Sequence, residues 1–363
     1  MSTLKDLTIV IPTYRRAEYI KRSIDFWNGK EVNVLILDGS EESILSSYDF
    51  SMSNNINYLH SHTSLANRLS IAREIVGTKY SVLLGDDEFF IPTAIESAVQ
   101  FLDSHPDYIA CGGQCIGFSK LTTGEIGYRV RYPEFKNFDL NINNGTQRVI
   151  THFANYTPAH IYAVMRTTAW KRAIWPATQD DFAVYGSAEL AFEFIASCIG
   201  KCKMTTFLYW FRSRENGPNL SSEKSTNPAY QFDIWWKAKK YQAERERFRS
   251  LVIEALSPGS EKNNMKETFD LAFSDYYLNT ARLGVSYRVR RFLSKFRLLR
   301  SFKTVIFHKM KNYTHDSSVK KTYRHSEILE LLESNGIYVD SAYFNEITKV
   351  VSDFHFSRSE FEK

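Results

Sequence analysis

The N-terminal part of the chain alternates between strand-like and helix-like segments, and this alternation constrains the fold more than any other feature. Short apolar runs, rich in β-branched residues, lie at 7–12, 32–37, 56–60 and 80–84. Continuous apolar runs of this length are typical of parallel strands that are covered on both faces. A Gly or Asp turn follows several of them, so each run is expected to end where the chain turns.

Segments with helical periodicity lie between and after these strands, at 17–27, 65–76 and 91–106. Gly77 provides a stop signal for the second helix, and Pro92 stands near the start of the third. Strands that alternate with helices predict the α/β class, with a doubly wound, mainly parallel sheet.

Mixed signals follow from residue 107 to 215. Strands are predicted at 160–165 and 204–211, a helix at 188–200 and a loose loop near 118–147. A polar stretch rich in Ser, Asn and Pro then marks the best domain boundary, at 212–229.

Beyond that boundary the pattern is helical. We therefore predict a catalytic domain over residues 1–215, which binds donor and acceptor, and a helical C-terminal domain over 230–363.

Composition excludes several other classes of protein. With 363 residues, 43% hydrophobic and 24% charged, the chain can bury a full core and is not disordered. The four cysteines are too few for a disulfide framework, and buried reduced thiols are preferred over a zinc site. The sequence shows neither a signal peptide nor an apolar run long enough for a membrane span, so we expect a cytoplasmic protein.

Polar residues follow three of the predicted strands: Thr13-Tyr14-Arg15, Asp38-Gly39-Ser40 and Asp86-Asp87-Glu88. In doubly wound sheets, ligands bind beyond the carboxyl ends of the strands. Side chains from three separate strands are therefore expected to converge on one site.

The acidic cluster Asp86-Asp87-Glu88 suits a hard cation. Adjacent carboxylates repel each other, and Mg²⁺ or Mn²⁺ is commonly held by one or two carboxylates together with substrate phosphate oxygens. Such an ion supports a leaving diphosphate as a Lewis acid. The alternative is a solvated acidic turn without a ligand.

Three segments resemble the nucleotide-binding half of family 2 glycosyltransferases of the GT-A fold: TIVIPTYRRAEYIKRSI, VLILDGS and LANRLSIAREIVGTKYSVLLGDDEFF. Members of that family typically carry a strand followed by P-T-Y-N-R, a strand ending in D-D-G-S, a helix with A-R-N and a strand ending in D-x-D. The motifs match in order over residues 6–110, and the match weakens toward 215.

The resemblance implies that a nucleotide-sugar contacts Pro12, Thr13, Tyr14, Arg16, Asp38, Arg73, Asp86 and Asp87. It implies that Asp38 binds the base and that Arg73 lies near the diphosphate or ribose. The metal motif falls on Asp86, Asp87 and Glu88. Leu37 and Gly85 stand where the family has acids, so which member of the cluster holds the metal stays open.

The family is inverting, and its general base stands at the start of a helix in the second half of the domain. Glu189 matches that position, and Asp180 and Asp181 are the alternatives. The alternative is that Glu189 has only a structural role, because a negative charge at a helix N-terminus is favoured in any protein. Arg212 and Arg214 are candidates to reach the diphosphate, or else ordinary surface arginines.

A basic segment at 282–311 contains no acidic residue and interleaves Lys and Arg with Phe, Leu, Val and Ile. Such a segment suits peripheral contact with an anionic membrane, or a helix packed on the catalytic domain. No nucleic-acid recognition motif accompanies the charge, so nucleic acid is not expected as a partner.

The resemblance implies a hexosyltransferase-type enzyme that depends on a nucleotide-sugar and on Mn²⁺ or Mg²⁺. Its acceptor would be a glycan or a lipid-linked oligosaccharide in surface polysaccharide biosynthesis. The alternatives are a nucleotidyltransferase acting on a sugar phosphate and a non-catalytic module on a decayed transferase fold that binds a membrane surface. PTYRRAEY lacks the glycine-rich loop that a nucleotidyltransferase needs after its first strand.

Overall fold

A computed structural model describes residues 3–46, 53–182, 184–215, 232–256, 265–277 and 321–361. The strands are β1 Leu7–Thr13, β2 Asn33–Asp38, β3 Ile56–His60, β4 Tyr80–Leu83, β5 Phe89–Phe90, β6 Tyr108–Lys120, β7 Ile126–Arg131, β8 Asp139–Leu140, β9 Val164–Arg166 and β10 Lys201–Ser213.

The helices are α1 Ala17–Trp27, α2 Leu65–Ile75, α3 Pro92–Ser104, α4 Gly145–Ala154, α5 Thr167–Ile174, α6 Tyr185–Ile199, α7 Phe232–Lys237, α8 Gln242–Leu256, α9 265–277, α10 His325–Ser334 and α11 Ser341–Phe361. Short 3₁₀ turns lie at Leu4–Asp6, Ile44–Ser46, Pro133–Asn137, Trp175–Thr178 and Lys239–Tyr241.

The strands form one sheet in the order β3-β2-β1-β4-β9-β6-β10-β5, with β7 paired to β6 and β8 to β10. The neighbours β3, β2, β1 and β4 run parallel. Strand β9 is antiparallel to both β4 and β6, so β6 runs in the direction of β4, and β10 is parallel to β6. The mainly parallel α/β sheet of a GT-A-like fold is therefore confirmed.

The predicted elements of the first half are confirmed, with ends that differ by at most two residues. Burial explains why, since Ile9, Val10 and Ile11 of β1 are completely buried and successive residues of a strand point to opposite faces. Both faces of such a strand must be apolar.

Two predictions for the second half are wrong in part. The loop predicted near 118–147 contains β7, β8 and the start of α4, and the strand predicted at 160–165 begins only at Val164. Strand β7 follows a tight turn in which Gly124 has a φ of 89°. Short alternating segments around a glycine turn are typical of a hairpin, and this signal lies in the sequence.

Helices α10 and α11 pack against the sheet. Phe344, Ile347 and Val351 of α11 belong to the same buried apolar cluster as the core of the sheet. An isolated bridge joins Tyr128 of β7 to Tyr323 just before α10. The predicted helical character of the C-terminal part is confirmed where it is described, whereas the division into domains 1–215 and 230–363 stays a prediction.

The basic segment 282–311 lies outside the described residues. In the part of the chain that is described, no helix has the length and apolar character needed to cross a membrane.

Candidate active site

The end of β2 places a buried carboxylate beside the end of β1. Asp38 is completely buried, and its Oδ1 accepts a hydrogen bond from the backbone N–H of Ser40 at 2.9 Å. Its Oδ2 accepts the hydroxyl of Tyr58, on β3, at 2.5 Å. Burial and this hydrogen bond raise the pKa of Tyr58 to about 12. The Tyr58 hydroxyl therefore stays protonated and fixes the orientation of Asp38.

Arg68, in the first half of α2, binds the ends of both central strands. Its Nη1 donates to the backbone oxygens of Thr13 and Leu37, at 2.6 and 2.8 Å. Burial lowers the pKa of this guanidinium, and its buried Nε has no hydrogen-bond partner among the described residues. Gly39 makes the approach possible, because a Cβ at that position would lie 2.3 Å from Arg68 Cζ.

Arg73, which the family resemblance implicated, lies in the last turn of the same helix. Its Nε donates to the backbone oxygen of Lys171, on α5, at 3.0 Å, and its Nη1 lies 3.2 Å from Glu74. Helix α2 begins near the carboxyl ends of the strands and runs away from them. The structure therefore brings Arg68, and not Arg73, to the strand ends.

Two of the other predicted residues, Thr13 and Arg16, contact the acidic cluster. Thr13 donates its hydroxyl to Asp86 Oδ2 at 2.8 Å. Nη1 of Arg16 lies 2.9 Å from Asp86 Oδ1 and 3.3 Å from Asp87 Oδ2. Pro12 and Tyr14 are half-buried, and the Tyr14 hydroxyl donates to Glu41 Oε1 at 3.3 Å. The predicted convergence of the ends of β1, β2 and β4 is present.

Two carboxyl groups of the cluster are perturbed by burial. The pKa of Asp86 is raised to about 6 by burial, although Arg16 opposes the shift. The pKa of Glu88 is raised to about 8 by burial, which Arg212 opposes. Glu88 Oε2 accepts the indole N–H of Trp210 at 2.8 Å, so β10 contributes directly to this cluster.

The acidic cluster fits a divalent cation in part. Its three carboxylates, which are all described, do not bring three ligand atoms within 4.8 Å of one another. Asp86 and Asp87 nevertheless both face Arg16 at the strand ends. Two carboxylates on one side leave the remaining ligand positions to substrate phosphates and water, as magnesium sites commonly do.

The predicted general base lies at the same edge of the sheet. Strand β10 runs with β1 and β4, so α6, which precedes it, begins at the edge where those strands end. Glu189 is half-buried in the second turn of α6 and accepts the hydroxyl of Tyr156 at 2.6 Å. Burial raises the pKa of Glu189 to about 7, a value suited to a general base near neutral pH.

The two aspartates considered as alternatives differ in their surroundings. Asp181 is exposed, and its Oδ1 accepts the backbone N–H of Ala66, in the first turn of α2, at 3.3 Å. Asp180 forms an ion pair with Arg247 on α8 at 2.6 Å. Asp181 thus also lies at the edge where the strands end, whereas Asp180 is held by a C-terminal helix.

A fully buried cluster of Glu193, His152 and His160 lies one turn further along α6 from Glu189. Glu193 Oε2 accepts hydrogen bonds from ring nitrogens of His152 and His160, at 2.9 and 2.7 Å. Its Oε1 accepts hydrogen bonds from the backbone N–H groups of His160 and Ile161, at 2.9 Å each. The ligand atoms lie within 4.8 Å, as a metal site requires. Four hydrogen bonds already occupy the carboxylate, so this arrangement fits a structural network.

Comparison with known proteins gives a family match for the N-terminal part of the chain. Residues 8–164 match the model of the family described as Glycosyl transferase family 2. No curated protein gives a match.

Among solved structures, the chain is similar to S. aureus TarS. A crystal structure of TarS 1–349 in complex with UDP-GlcNAc has 12% identity and a TM-score of 0.45, over 77% of this chain and 92% of that one. The complex of TarS 1–349 with UDP has 14% identity and a TM-score of 0.43, over 77% and 91%. A longer TarS chain has 12% identity and a TM-score of 0.43, over 75% of this chain and 54% of its own length.

The family match covers the segments in which the resemblance was found and extends beyond them. The resemblance to family 2 glycosyltransferases is therefore confirmed over residues 8–164.

Proposed function

We propose that this protein transfers a hexose from a nucleotide-sugar to a hydroxyl group of a glycan or lipid-linked acceptor, with inversion of configuration. The observation that carries this proposal is the convergence of Asp38, Thr13 and Asp86 at the ends of three parallel strands. Ligands of doubly wound sheets bind at such strand ends. The family match supports the same class of reaction.

The donor nucleotide would lie over the ends of β1 and β2. Asp38 accepts hydrogen bonds from the base, and Tyr58 and Ser40 hold its carboxylate in place. Arg68 fixes the backbone of Thr13 and Leu37, so the two strand ends keep one geometry while a ligand binds and leaves. Preorganisation of this kind reduces the entropy that binding costs.

The diphosphate would lie toward Arg16 and the acidic cluster. Asp86 and Asp87 would hold Mn²⁺ or Mg²⁺, which would neutralise charge on the diphosphate as it leaves. Arg16 already faces both carboxylates, so it is placed to contact the same phosphates. Glu88 is bound by Trp210 and forms the inner wall of the cluster.

Glu189 would remove the proton from the acceptor hydroxyl. Its pKa near 7 allows the carboxylate form at neutral pH and keeps it basic enough to accept a proton. Tyr156 donates to one carboxylate oxygen and so leaves the other for the acceptor. Asp181 is the alternative base, since it lies at the start of α2.

The experiment is a transfer and hydrolysis assay with UDP-, GDP- and CMP-hexoses, each with and without Mn²⁺. We expect release of a nucleotide from at least one donor. If no donor is bound or hydrolysed, the proposal fails. Release of pyrophosphate from a nucleoside triphosphate would instead indicate a nucleotidyltransferase.

The same proposal includes the biological setting. The protein would act in surface polysaccharide synthesis, in the cytoplasm at the inner face of the membrane.

A further inference from the structure

Four arginines lie together on one face of the sheet, on the two strands that flank β6. They are Arg129 and Arg131 of β7, together with Arg212 and Arg214 at the end of β10. Arg129 and Arg212 both pair with Gly117 of β6, one from each side. These four residues are called the arginine face below.

The pleat of the strands places these side chains together. Tyr128 of β7 and Phe211 of β10 both pack on Phe344 of α11, with ring centroids 5.3 and 5.0 Å away. Neighbouring residues of a strand point to opposite faces. The arginines therefore lie on the face turned away from α11.

Gly117 forms the floor of the arginine face. A Cβ at this position would lie 3.0 Å from Arg214 Cδ and 3.2 Å from Arg131 Cγ. Side chains from two different strands thus lean over the same glycine. Partial desolvation of its guanidinium and the positive charges of the other three arginines lower the pKa of Arg214, which is consistent with this proximity.

Negative charge to balance the arginine face is scarce. In the part of the chain that the structure describes, Arg129, Arg131 and Arg214 form no ion pair within 4 Å, and Arg212 Nε lies 3.8 Å from Glu88 Oε1. Arg129 donates to the hydroxyl of Thr322 at 2.7 Å. The buried Nε of Arg131 has no hydrogen-bond partner among the described residues. Like charges held together in this way repel, and an anionic ligand would relieve the repulsion.

The arginine face adjoins the proposed active site. Arg212 lies over the rings of Tyr132 and Trp210, 5.4 Å from each centroid. Trp210 binds Glu88 of the acidic cluster and stacks on Tyr162, with ring centroids 4.3 Å apart. An aromatic platform therefore leads from the acidic cluster to the arginines, in the half of the sheet away from Asp38.

The spread of the four positions favours more than one anionic group. β7 and β10 are separated by β6, so their backbones lie about 10 Å apart. One oxyanion is bound bidentately by one or two guanidinium groups. Four arginines over this span therefore match a ligand with several phosphates.

We propose that the arginine face binds phosphate groups carried by the acceptor, so that the acceptor is a phosphate-bearing chain. This inference extends the proposed function by naming the acceptor class. The same phosphate chemistry occurs in the diphosphate of the donor, so the test must separate the two sources.

The test measures binding by calorimetry with tripolyphosphate as the acceptor mimic and UDP as the donor mimic. In the Arg131→Gln/Arg214→Gln variant we expect tripolyphosphate to bind about tenfold more weakly or worse, with UDP affinity within about twofold. The matched control is Lys5→Gln/Lys21→Gln, which removes two positive charges that form their own ion pairs elsewhere. It should bind both probes like the wild type.

Three results would overturn the proposal. Unchanged binding of tripolyphosphate shows that the arginine face is not its site. An equal loss of UDP binding shows that the face serves the donor. An equal effect in the lysine control shows attraction by net charge alone. Binding requires no transfer, so these results do not depend on whether the proposed reaction occurs. If the double variant melts at a lower temperature than the wild type, Arg214→Gln alone, which changes an exposed side chain, replaces it.

Discussion

The indole N–H of Trp210 donates to Glu88 Oε2 at 2.8 Å, and this hydrogen bond joins the last long strand of the sheet to the acidic cluster after β4. Both side chains are buried. A buried carboxyl that loses its donor bears the cost of desolvation without compensation, about 1–3 kcal/mol. The contact explains how a strand that is distant in sequence positions the proposed diphosphate site.

Trp210→Phe keeps an aromatic ring but removes this donor. We expect the free energy of unfolding to fall by about 1–3 kcal/mol more than in Trp170→Phe. Trp170 is a matched control, because it is also completely buried but its indole nitrogen has no hydrogen-bond partner in the described part of the chain. Urea denaturation measures both changes. Equal losses in the two variants would show that the Trp210 hydrogen bond contributes nothing.

Arg68 and Arg73 lie on the same helix, but we expect substitutions at the two positions to affect UDP affinity differently. Arg68→Lys cannot reproduce the guanidinium contacts to the ends of β1 and β2, so we expect UDP to bind at least about tenfold more weakly. Arg73→Gln changes a residue bonded to α5 and should leave UDP affinity within about twofold. Calorimetry distinguishes the two. A larger loss of UDP affinity in Arg73→Gln than in Arg68→Lys would contradict this expectation and support the role of Arg73 that the family resemblance implies.

Glu189→Gln keeps the size of the side chain but removes the proposed base. We expect the rate of transfer to fall about 10²- to 10⁴-fold while UDP affinity stays unchanged. Asp181→Asn is the comparison, since Asp181 is the rival base. If Asp181→Asn loses transfer and Glu189→Gln does not, the base is Asp181.

The pH dependence of kcat/KM gives a separate test of Glu189. The carboxylate is the active form and its pKa is about 7, so kcat/KM should rise with pH through about 7 and then level off. The Tyr156 hydrogen bond lowers this pKa, so Tyr156→Phe should move the rise to higher pH. A rise centred near the ordinary value of a glutamic acid, or one that Tyr156→Phe does not move, would contradict this assignment.

Glu193→Gln should destabilise the fold strongly. The amide NH₂ group that replaces one carboxylate oxygen donates and cannot accept hydrogen bonds, so donors from His152, His160 or the backbone lose their partner, at a cost of about 3–5 kcal/mol. Glu346→Gln is the control, because its ion pair with Lys30 is partly exposed and should contribute under about 1 kcal/mol. Chemical denaturation measures the free energy of unfolding of both variants. Similar losses in the two would contradict a structural role for the buried cluster.

The buried cluster also makes a prediction about acid stability. Burial would raise the pKa of Glu193, but His160 and His152 lower it to about 2, so its folded value lies below its unfolded value. The stabilisation is therefore present above the unfolded value and is lost as the pH falls toward about 2. Melting temperatures of wild type and Glu193→Gln should converge as the pH falls below 4. Melting curves that stay equally far apart at pH 2 would contradict this.

The sequence predicted the sheet of the first half because its strands are buried on both faces, and a run such as Leu7 to Ile11 permits few other structures. The position of Asp38 and of the acidic cluster followed from strand ends alone. The role of Arg68 was missed since its contacts are to backbone oxygens, which leave no pattern in the side chains of β1 and β2. The sequence did indicate this role through the position of Arg68 in the first half of α2, which begins near the carboxyl ends of the strands.

Contacts between distant segments account for the remaining differences. The pairing of Glu88 with Trp210, and of His152 with Glu193, depends on how β10, α4 and α6 pack, which periodicity does not specify. The hairpin of β7 was predictable from its glycine turn. The arginine face was not, since it arises only when β7 and β10 pair with opposite sides of β6.

Calorimetric titration of nucleoside diphosphates, with Mn²⁺ present, into wild type, Asp38→Asn and Asp86→Asn tests directly whether the strand ends form a nucleotide site. We expect at least one of UDP, GDP and CDP to bind the wild type, and each variant to bind it at least about tenfold more weakly, because each loses a charge at the strand ends. If no nucleotide binds, or if both variants bind it as the wild type does, the ends of β1, β2 and β4 are not a nucleotide site.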